Sequence, residues 1–326
     1  EIIAVGALYR PGPMDMIPSF INRKHGKEAI ENDHPWLQEI LQETYGIMVY
    51  QEQVMQIASK LAGFSLGEGD VLRRAMGKKD LEQMAAQREK FRLGAIRNQI
   101  SEEVAMTIFD KMEKFASYGF NKSHAAAYGY LSYVTAYLKA NYPKEWMSAL
   151  MTCSKDDLSK VAKFIRECQA LSIPVLPPDI NESGLTFQAT RQGIRFAIGG
   201  IKGIGSNVVE AILEERQRKG PFEDLYSFCC RIDTKKVGKK NIISLIEAGC
   251  FDYTTWTKDQ LLLFLEECFD AAILQKKEES EGVLSLFSLL QTPSKRPSPP
   301  PVIAHPTPPL QVLFQEKALL GFFLTG

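Results

Sequence analysis

Between about residue 36 and residue 170, apolar side chains recur at helical spacing, punctuated by glycines and by one proline, Pro143. A stretch of this kind has to bury itself as packed helices, because each element offers one apolar stripe and nothing else to hide it against. Tyr50 to Leu61 sets Val54, Ala58 and Leu61 on one face, and Gly63 supplies a C-terminal stop. Asp70 to Ala75 predicts a short helix closed by Gly77. Asp80 is the expected cap of a helix burying Met84, Phe91 and Ala95; Ser101 is the expected cap of another, with Val104, Ile108, Met112 and Phe115 as its stripe and Gly119 beyond its end. His124 to Asn141 reads as a long helix ended by Pro143, with Tyr130, Tyr133 and Tyr137 at core spacing, and a last helix runs from about Asp156 to Ala170.

The character changes at Ile173-Pro-Val-Leu-Pro-Pro-Asp179. Extended runs follow at Thr186–Ala189 and Ile194–Ile198, separated like the arms of a hairpin. Compact helices are then expected over Asn207–Arg216, Phe222–Cys230 and Lys240–Ala248, and an amphipathic one over Thr257–Lys277 with Leu261, Phe264, Leu265, Phe269 and Ile273 on its face. Residues 292–309 are proline-rich and read as an extended linker. The fold class is therefore mainly α: a helical domain, then a small α-rich module with a short β-hairpin.

A chain of 326 residues with 45% hydrophobic content can bury more than one core. Formal net charge is zero, so no global basic field advertises nucleic acid, although local patterning matters more than the sum. Six cysteines without C-x-x-C spacing suggest neither zinc site nor disulfide framework and fit a reducing, cytoplasmic setting. No apolar run is long enough for a membrane span. Glu1 opens without an initiator Met and Gly326 ends abruptly, which reads as an internal piece of a longer protein.

Four constellations could carry chemistry. In Leu72-Arg-Arg-Ala-Met-Gly-Lys-Lys79, Arg73, Arg74, Lys78 and Lys79 gather near a helix C-terminus. They could merely complement the helix dipole. They could instead clamp phosphate, since guanidinium forks match phosphate oxygens and crowded cations repel until an anion joins them. In Tyr118-Gly-Phe-Asn-Lys-Ser-His124, Lys122 and His124 sit at a helix N-terminus, where a cation opposes the dipole unless something negative arrives; His124 could equally be structural. In Ile201-Lys-Gly-Ile-Gly-Ser206, a G-h-G turn enters a helix, so Lys202, Gly203, Gly205 and Ser206 can meet a phosphate through backbone amides. Lys235-Lys-Val-Gly-Lys-Lys240 repeats the device with Lys236, Gly238, Lys239 and Lys240; the pair suggests helix-hairpin-helix units that grip DNA backbone without reading bases. The fourth is Val283-Leu-Ser-Leu-Phe287, a short apolar docking segment through Leu284, Ser285, Leu286 and Phe287, or else a stretch that packs back on the preceding helix. No Walker lysine motif, H-E-x-x-H or G-x-S-x-G occurs, and no apolar strand carries paired aspartates. No residue here is assigned a catalytic or metal-binding role, and this stretch alone is expected to be inactive.

Taken together, Ala7-Leu-Tyr-Arg-Pro-Gly-Pro13, Tyr45-Gly-Ile-Met-Val-Tyr-Gln-Glu-Gln53, Leu72–Lys79, Tyr118–Tyr128, Ile201–Ile212 and Leu320-Gly-Phe-Phe-Leu-Thr-Gly326 resemble the alpha subunits of bacterial replicative DNA polymerases (DNA polymerase III). The resemblance implies the end of a palm over residues 1–30, fingers over 31–180, a tandem helix-hairpin-helix module over 181–255, a helix and clamp-binding segment over 256–290, a linker over 291–312 and the start of a next domain over 313–326. It implies that Arg73, Arg74, Lys78 and Lys79 meet the phosphates of an incoming dNTP, with Lys122, His124 and Arg10 on the same surface. It further implies primer-template DNA, the sliding clamp (beta) and other replicase subunits as partners, no membrane, and Mg2+ held by palm aspartates outside these residues. Val283 stands where the family's clamp motif usually has glutamine. The competing reading is a non-enzymatic helix-hairpin-helix DNA-binding protein.

Overall fold

The computed structural model describes residues 1–78, 81–116, 119–280 and 302–325. The chain forms two compact units, Glu1–Tyr137 and Leu138–Gly326, and the division falls inside the helix Lys122–Asn141.

The first unit is helical. The helices Leu37–Leu41, Gln51–Ala62, Leu66–Lys78, Leu81–Arg97 and Glu102–Ala116 share one core, in which Ile57, Leu61, Leu72, Phe91, Ile108 and Met112 are almost wholly enclosed. Gly63 ends the second of these helices in the left-handed conformation (φ 70°) that its sequence position predicts. Helix Leu81–Arg97 crosses close to Gln51–Ala62 at Gly94, where an added Cβ would fall 2.1 Å from the Ala62 carbonyl oxygen. A smaller core joins Ala4, Ala7 and Leu8 of the helix Ile2–Leu8 to Phe20, Val49, Tyr50 and Ala125.

The helix read as Asp70–Ala75 is longer. It starts at Leu66, where Ser65 and Glu68 cap each other (Ser65 N–H to Glu68 Oε2, 2.8 Å; Glu68 N–H to Ser65 Oγ, 3.3 Å), and it runs past Gly77 to Lys78. Asp80 lies outside the described residues. Tyr130, Tyr133 and Tyr137 do follow helical spacing, but they are not core: they are 70%, 58% and 49% exposed. The helix is buried near its start, at Ala125 and at Gly129 against Ile3, whereas the face that carries the three rings stays largely exposed.

The second unit has one core running from Met147 and Met151 to Leu320. Pro143 ends one helix and also opens another, Pro143–Cys153, because proline at the first helical position needs no amide partner. That helix and Leu158–Ala170 bury Met147, Met151, Val161 and Ile165 with Phe187 and Phe196, so the stretch 31–180 expected as one domain is divided between the two units. Asp157 caps the second of them by accepting from the Lys160 amide at 3.1 Å.

The hairpin is present: Gln188–Ala189 pairs antiparallel with Ile194–Arg195. A third strand, Val175–Leu176, lies parallel to the latter within the proline-flanked segment. Helices Ser206–Lys219, Leu225–Arg231, Thr234–Val237, Lys239–Glu247 and Lys258–Ser280 follow. Arg231 ties this region together, donating to the carbonyls of Pro221 (2.7 Å) and Gly220 (2.6 Å), meeting buried Glu215 at 3.2 Å and lying 4.3 Å from the Phe222 ring centre. On helix Lys258–Ser280, Leu261, Phe264, Leu265, Cys268 and Ala272 are buried, whereas Ile273 is 47% exposed; the core-facing stripe passes through Ala272 instead.

A helix, Pro309–Leu320, begins inside the expected linker. Leu319, Leu320, Phe322 and Leu324 join the same core, and the Thr307 amide and hydroxyl both donate to Asp259 at 2.7 Å. The described residues 313–325 thus fall within the second unit, with Leu319, Leu320, Phe322 and Leu324 in its core.

Candidate phosphate and DNA-backbone sites

In the first unit, two segments far apart in sequence meet edge to edge. Gln51 N–H donates to the Phe120 carbonyl (2.9 Å), Phe120 N–H to the Val49 carbonyl (3.3 Å), and the Gln51 side-chain amide to the Gly119 carbonyl (3.0 Å). Around this junction the sequence-predicted cations collect. The Arg10 guanidinium lies 4.6 Å from the Phe120 ring centre and donates to the Ala7 carbonyl at 2.9 Å. The His124 ring packs 5.5 Å from Phe120 and 4.7 Å from Tyr128. Arg73 Nη1 reaches the Gln51 side-chain oxygen at 3.5 Å. Lys122 Nζ lies 5.6 Å from the Tyr50 ring centre. Arg10, Arg73, Lys122 and His124 are thereby tied to one structural element, and Arg74 follows Arg73. Lys79 and the side chain of Lys78 lie outside the described residues.

The countercharge is internal. Asp70 accepts from Arg73 Nε (2.9 Å) and Nη2 (2.7 Å) on one oxygen and pairs with Arg74 Nη2 (2.6 Å) on the other. Lys122 Nζ pairs with Glu43 at 2.6 Å, and the Lys122 amide donates to Glu52 Oε2 at 2.9 Å. Asn121 Oδ1 caps the same helix start by accepting from the His124 amide at 2.8 Å. Crowded cations here repel until an anion joins them. Carboxylates of the same unit already relieve that repulsion, because folding brings Glu43 and Glu52 to Lys122 and because Asp70 is one helical turn before the two arginines. Asp70 is held below the usual carboxylate range, first by its hydrogen bond from Arg73. Burial pulls the Arg10 guanidinium down, and burial followed by Glu43 and Glu52 pushes the Tyr50 hydroxyl up to about 12.

Of these partners, Gln51 and Phe120 stand in the quoted motifs without a role, and the parallel bridge between Tyr50 and Phe120, which the Gln51 amide helps to make, has no local signal. Asp70 did have one: an acid three and four residues before two arginines.

In the second unit the two glycine turns have a different construction. Gly203 takes φ 86°, Gly205 caps the helix Ser206–Lys219, and a Cβ on either glycine would meet nothing within 4 Å. The amides of Gly203, Gly205 and Ser206 have no acceptor among the described residues, as expected of a helix start that faces outward. The Lys202 amide, by contrast, is spent on the Leu319 carbonyl at 2.9 Å. Gly238 takes φ 67° and caps Lys239–Glu247; a Cβ there also meets open space. Lys239 pairs with Glu266, while the side chains of Lys202, Lys236 and Lys240 have no ion pair among the described residues. Leu284, Ser285, Leu286 and Phe287 lie outside the described residues.

Residues 1–99 match the bacterial DNA polymerase III alpha subunit finger domain, and residues 172–261 match a helix-hairpin-helix motif. The whole chain aligns with DNA polymerase III subunit alpha of Chlamydia trachomatis at 60% identity, of Thermus aquaticus at 46% and of Escherichia coli at 44%. The chain belongs to the bacterial DNA polymerase III alpha subunit family. It spans 26%, 27% and 29% of the length of those three relatives. As a member of this family it carries a finger region and a helix-hairpin-helix region, and the two candidate sites fall one in each. Among the described residues no helix is long and apolar enough to cross a membrane. Nor do three or more His, Cys, Asp or Glu side chains gather there to hold a metal ion; Asp70, Glu43 and Glu52 are each engaged by cations or amides of the unit itself. These residues therefore do not fit a magnesium cage.

Proposed function

We propose that this chain supplies the nucleotide-gripping and duplex-gripping parts of a DNA-directed DNA polymerase working in the cytoplasm with a sliding clamp and other replicase subunits. In the first unit Arg73, Arg74, Lys78, Lys79, Lys122, His124 and Arg10 neutralise the triphosphate of an incoming dNTP. The supporting observation is the pairing of Gln51 with Phe120, which draws cations from three distant segments to one junction. Guanidiniums suit the task because they present several N–H donors in a fixed fork and stay charged at any working pH. In the second unit Lys202, Gly203, Gly205, Ser206, Lys236, Gly238, Lys239 and Lys240 hold the DNA backbone, the open glycines letting phosphate approach unsatisfied amides. Clamp docking is assigned to Leu284–Phe287, and the parent's magnesium-dependent chemistry to residues other than these.

The test is single-nucleotide incorporation by the full-length subunit. Replacing Arg73 and Arg74 together with alanine removes charge-assisted hydrogen bonds of about 1.5–3 kcal/mol each, so kcat/KM for dNTP is expected to fall at least about a hundredfold. Unchanged incorporation kinetics would remove the assigned role. The family match over residues 1–99 disfavours the non-enzymatic alternative, which gives the finger domain no task.

A further inference from the structure

We infer that Asp70 is a positioning residue for the nucleotide triphosphate, holding Arg73 and Arg74 side by side with their remaining N–H groups presented to it. The inference rests on the reading of these arginines as phosphate ligands. Its basis is how the donors are distributed. Asp70 gives one oxygen to Arg73, taking Nε at 2.9 Å and Nη2 at 2.7 Å, and the other to Arg74, taking only Nη2 at 2.6 Å. Arg73 Nη1 is left with a single long contact of 3.5 Å to Gln51, and Arg74 Nε and Nη1 have no partner among the described residues.

Asp70 therefore does not use up the two forks. It fixes one edge of each and leaves the other edge for phosphate. Two adjacent guanidiniums otherwise repel and sample many rotamers, and an incoming triphosphate would bear the cost of gathering them. With the carboxylate between them the pair carries a net single positive charge before nucleotide arrives and is already gathered. The Arg74 side chain is 64% exposed, so little besides Asp70 restrains it.

Asparagine cannot replace this carboxylate. Its amide offers one acceptor oxygen and turns two N–H donors towards a cation. Glutamate keeps the charge and both oxygens on a longer stem.

The experiment measures dNTP kinetics on primer-template DNA with the full-length subunit in four forms: unchanged, Asp70→Asn, Asp70→Glu, and Arg73→Ala with Arg74→Ala. Thermal unfolding is followed alongside. Asp70→Asn is expected to raise the dNTP KM about tenfold, with kcat changed less than about twofold and the unfolding temperature held, because ground-state gathering of the ligands is what is lost. Asp70→Glu is expected to recover most of that KM. An unchanged KM in Asp70→Asn, with a large loss in the arginine pair, overturns the positioning role and leaves the phosphate reading standing. Unchanged kinetics in the arginine pair overturn both. If the KM rise appears only with a lowered unfolding temperature and glutamate does not restore it, Asp70 is structural and the inference fails.

Discussion

The two units handle positive charge in opposite ways. In the finger unit the described cations are bound before any ligand arrives: Arg73 and Arg74 to Asp70, Lys122 to Glu43, and Arg10 against the Phe120 ring and the Ala7 carbonyl. In the helix-hairpin-helix unit Lys239 pairs with Glu266, but Lys202, Lys236 and Lys240 stand without ion pairs among the described residues, and the amides of Gly203, Gly205 and Ser206 have no acceptor among them. The first arrangement suits a small, highly charged ligand that must be oriented, because pre-set partners fix where its donors point. The second suits a long uniform polyanion that need only be held, where loosely placed lysines and backbone amides lose nothing by sampling many phosphates.

The comparison can be broken most forcefully at the packing that keeps the finger unit's helices in place. An alanine at Gly94 would put its Cβ 2.1 Å from the Ala62 carbonyl oxygen, a backbone atom that cannot rotate away. Overpacking of this kind is expected to cost about 3 kcal/mol, and chemical denaturation should show the loss. Gly193→Ala makes the matching demand in the second unit, with its Cβ 2.2 Å from the Pro174 carbonyl oxygen. If either substitution leaves stability unchanged, that close approach is not a constraint on its unit.

A smaller effect is expected at the hairpin turn. Gly203→Val with Gly205→Val fills space that is open in this structure, so it should leave the core intact and weaken duplex binding about tenfold through lost amide–phosphate contacts. Gly203 also has φ 86°, which valine tolerates poorly, so the single variant Gly205→Ala serves as an unstrained control. Salt-sensitive duplex binding that survives the double variant would contradict the amide grip and erase the contrast between the units. Lys240→Ala should flatten the dependence of log affinity on log salt by about one unit, with no change in nucleotide kinetics at the site proposed in the finger unit.

The smallest expected effect concerns acid. Glu68 is held down to about 2 by Lys90 first (2.5 Å) and then by the Ser65 amide and hydroxyl. A depressed carboxylate contributes stability above its ordinary value of 4.5 and loses it as pH falls towards 2. The unchanged protein should therefore lose more stability over that interval than Glu68→Gln does, as judged by thermal unfolding of each. Equal losses would mean that the contacts of Glu68 with Lys90 and Ser65 contribute nothing measurable to the finger unit.

Much of this was legible in advance where the signal is local. The helices Gln51–Ala62 and Glu102–Ala116 follow their apolar stripes and caps, and both glycine turns follow from G-h-G or K-V-G-K leading into a helix. Signals that depend on what lies alongside were misread. Tyr130, Tyr133 and Tyr137 have core spacing, yet spacing says only which residues share a face and not whether anything covers it. Pro143 was read as an end, but the same residue is also a favoured beginning. The proline-rich stretch hid the helix Pro309–Leu320, whose place depends on Leu319 and Leu320 finding the second unit's core.

The sequence by itself determined that the chain would be helical, where its glycine turns lie, which residues carry charge, and through its motifs the family to which it belongs. Apart from the pairing of Asp70 with Arg73 and Arg74 one helical turn on, tertiary structure decided which charges stand together and which are already paired. Helical periodicity and turn chemistry act within about four residues, whereas the Gln51–Phe120 pairing and the Lys122–Glu43 bridge join positions that only a completed fold can bring within hydrogen-bond reach.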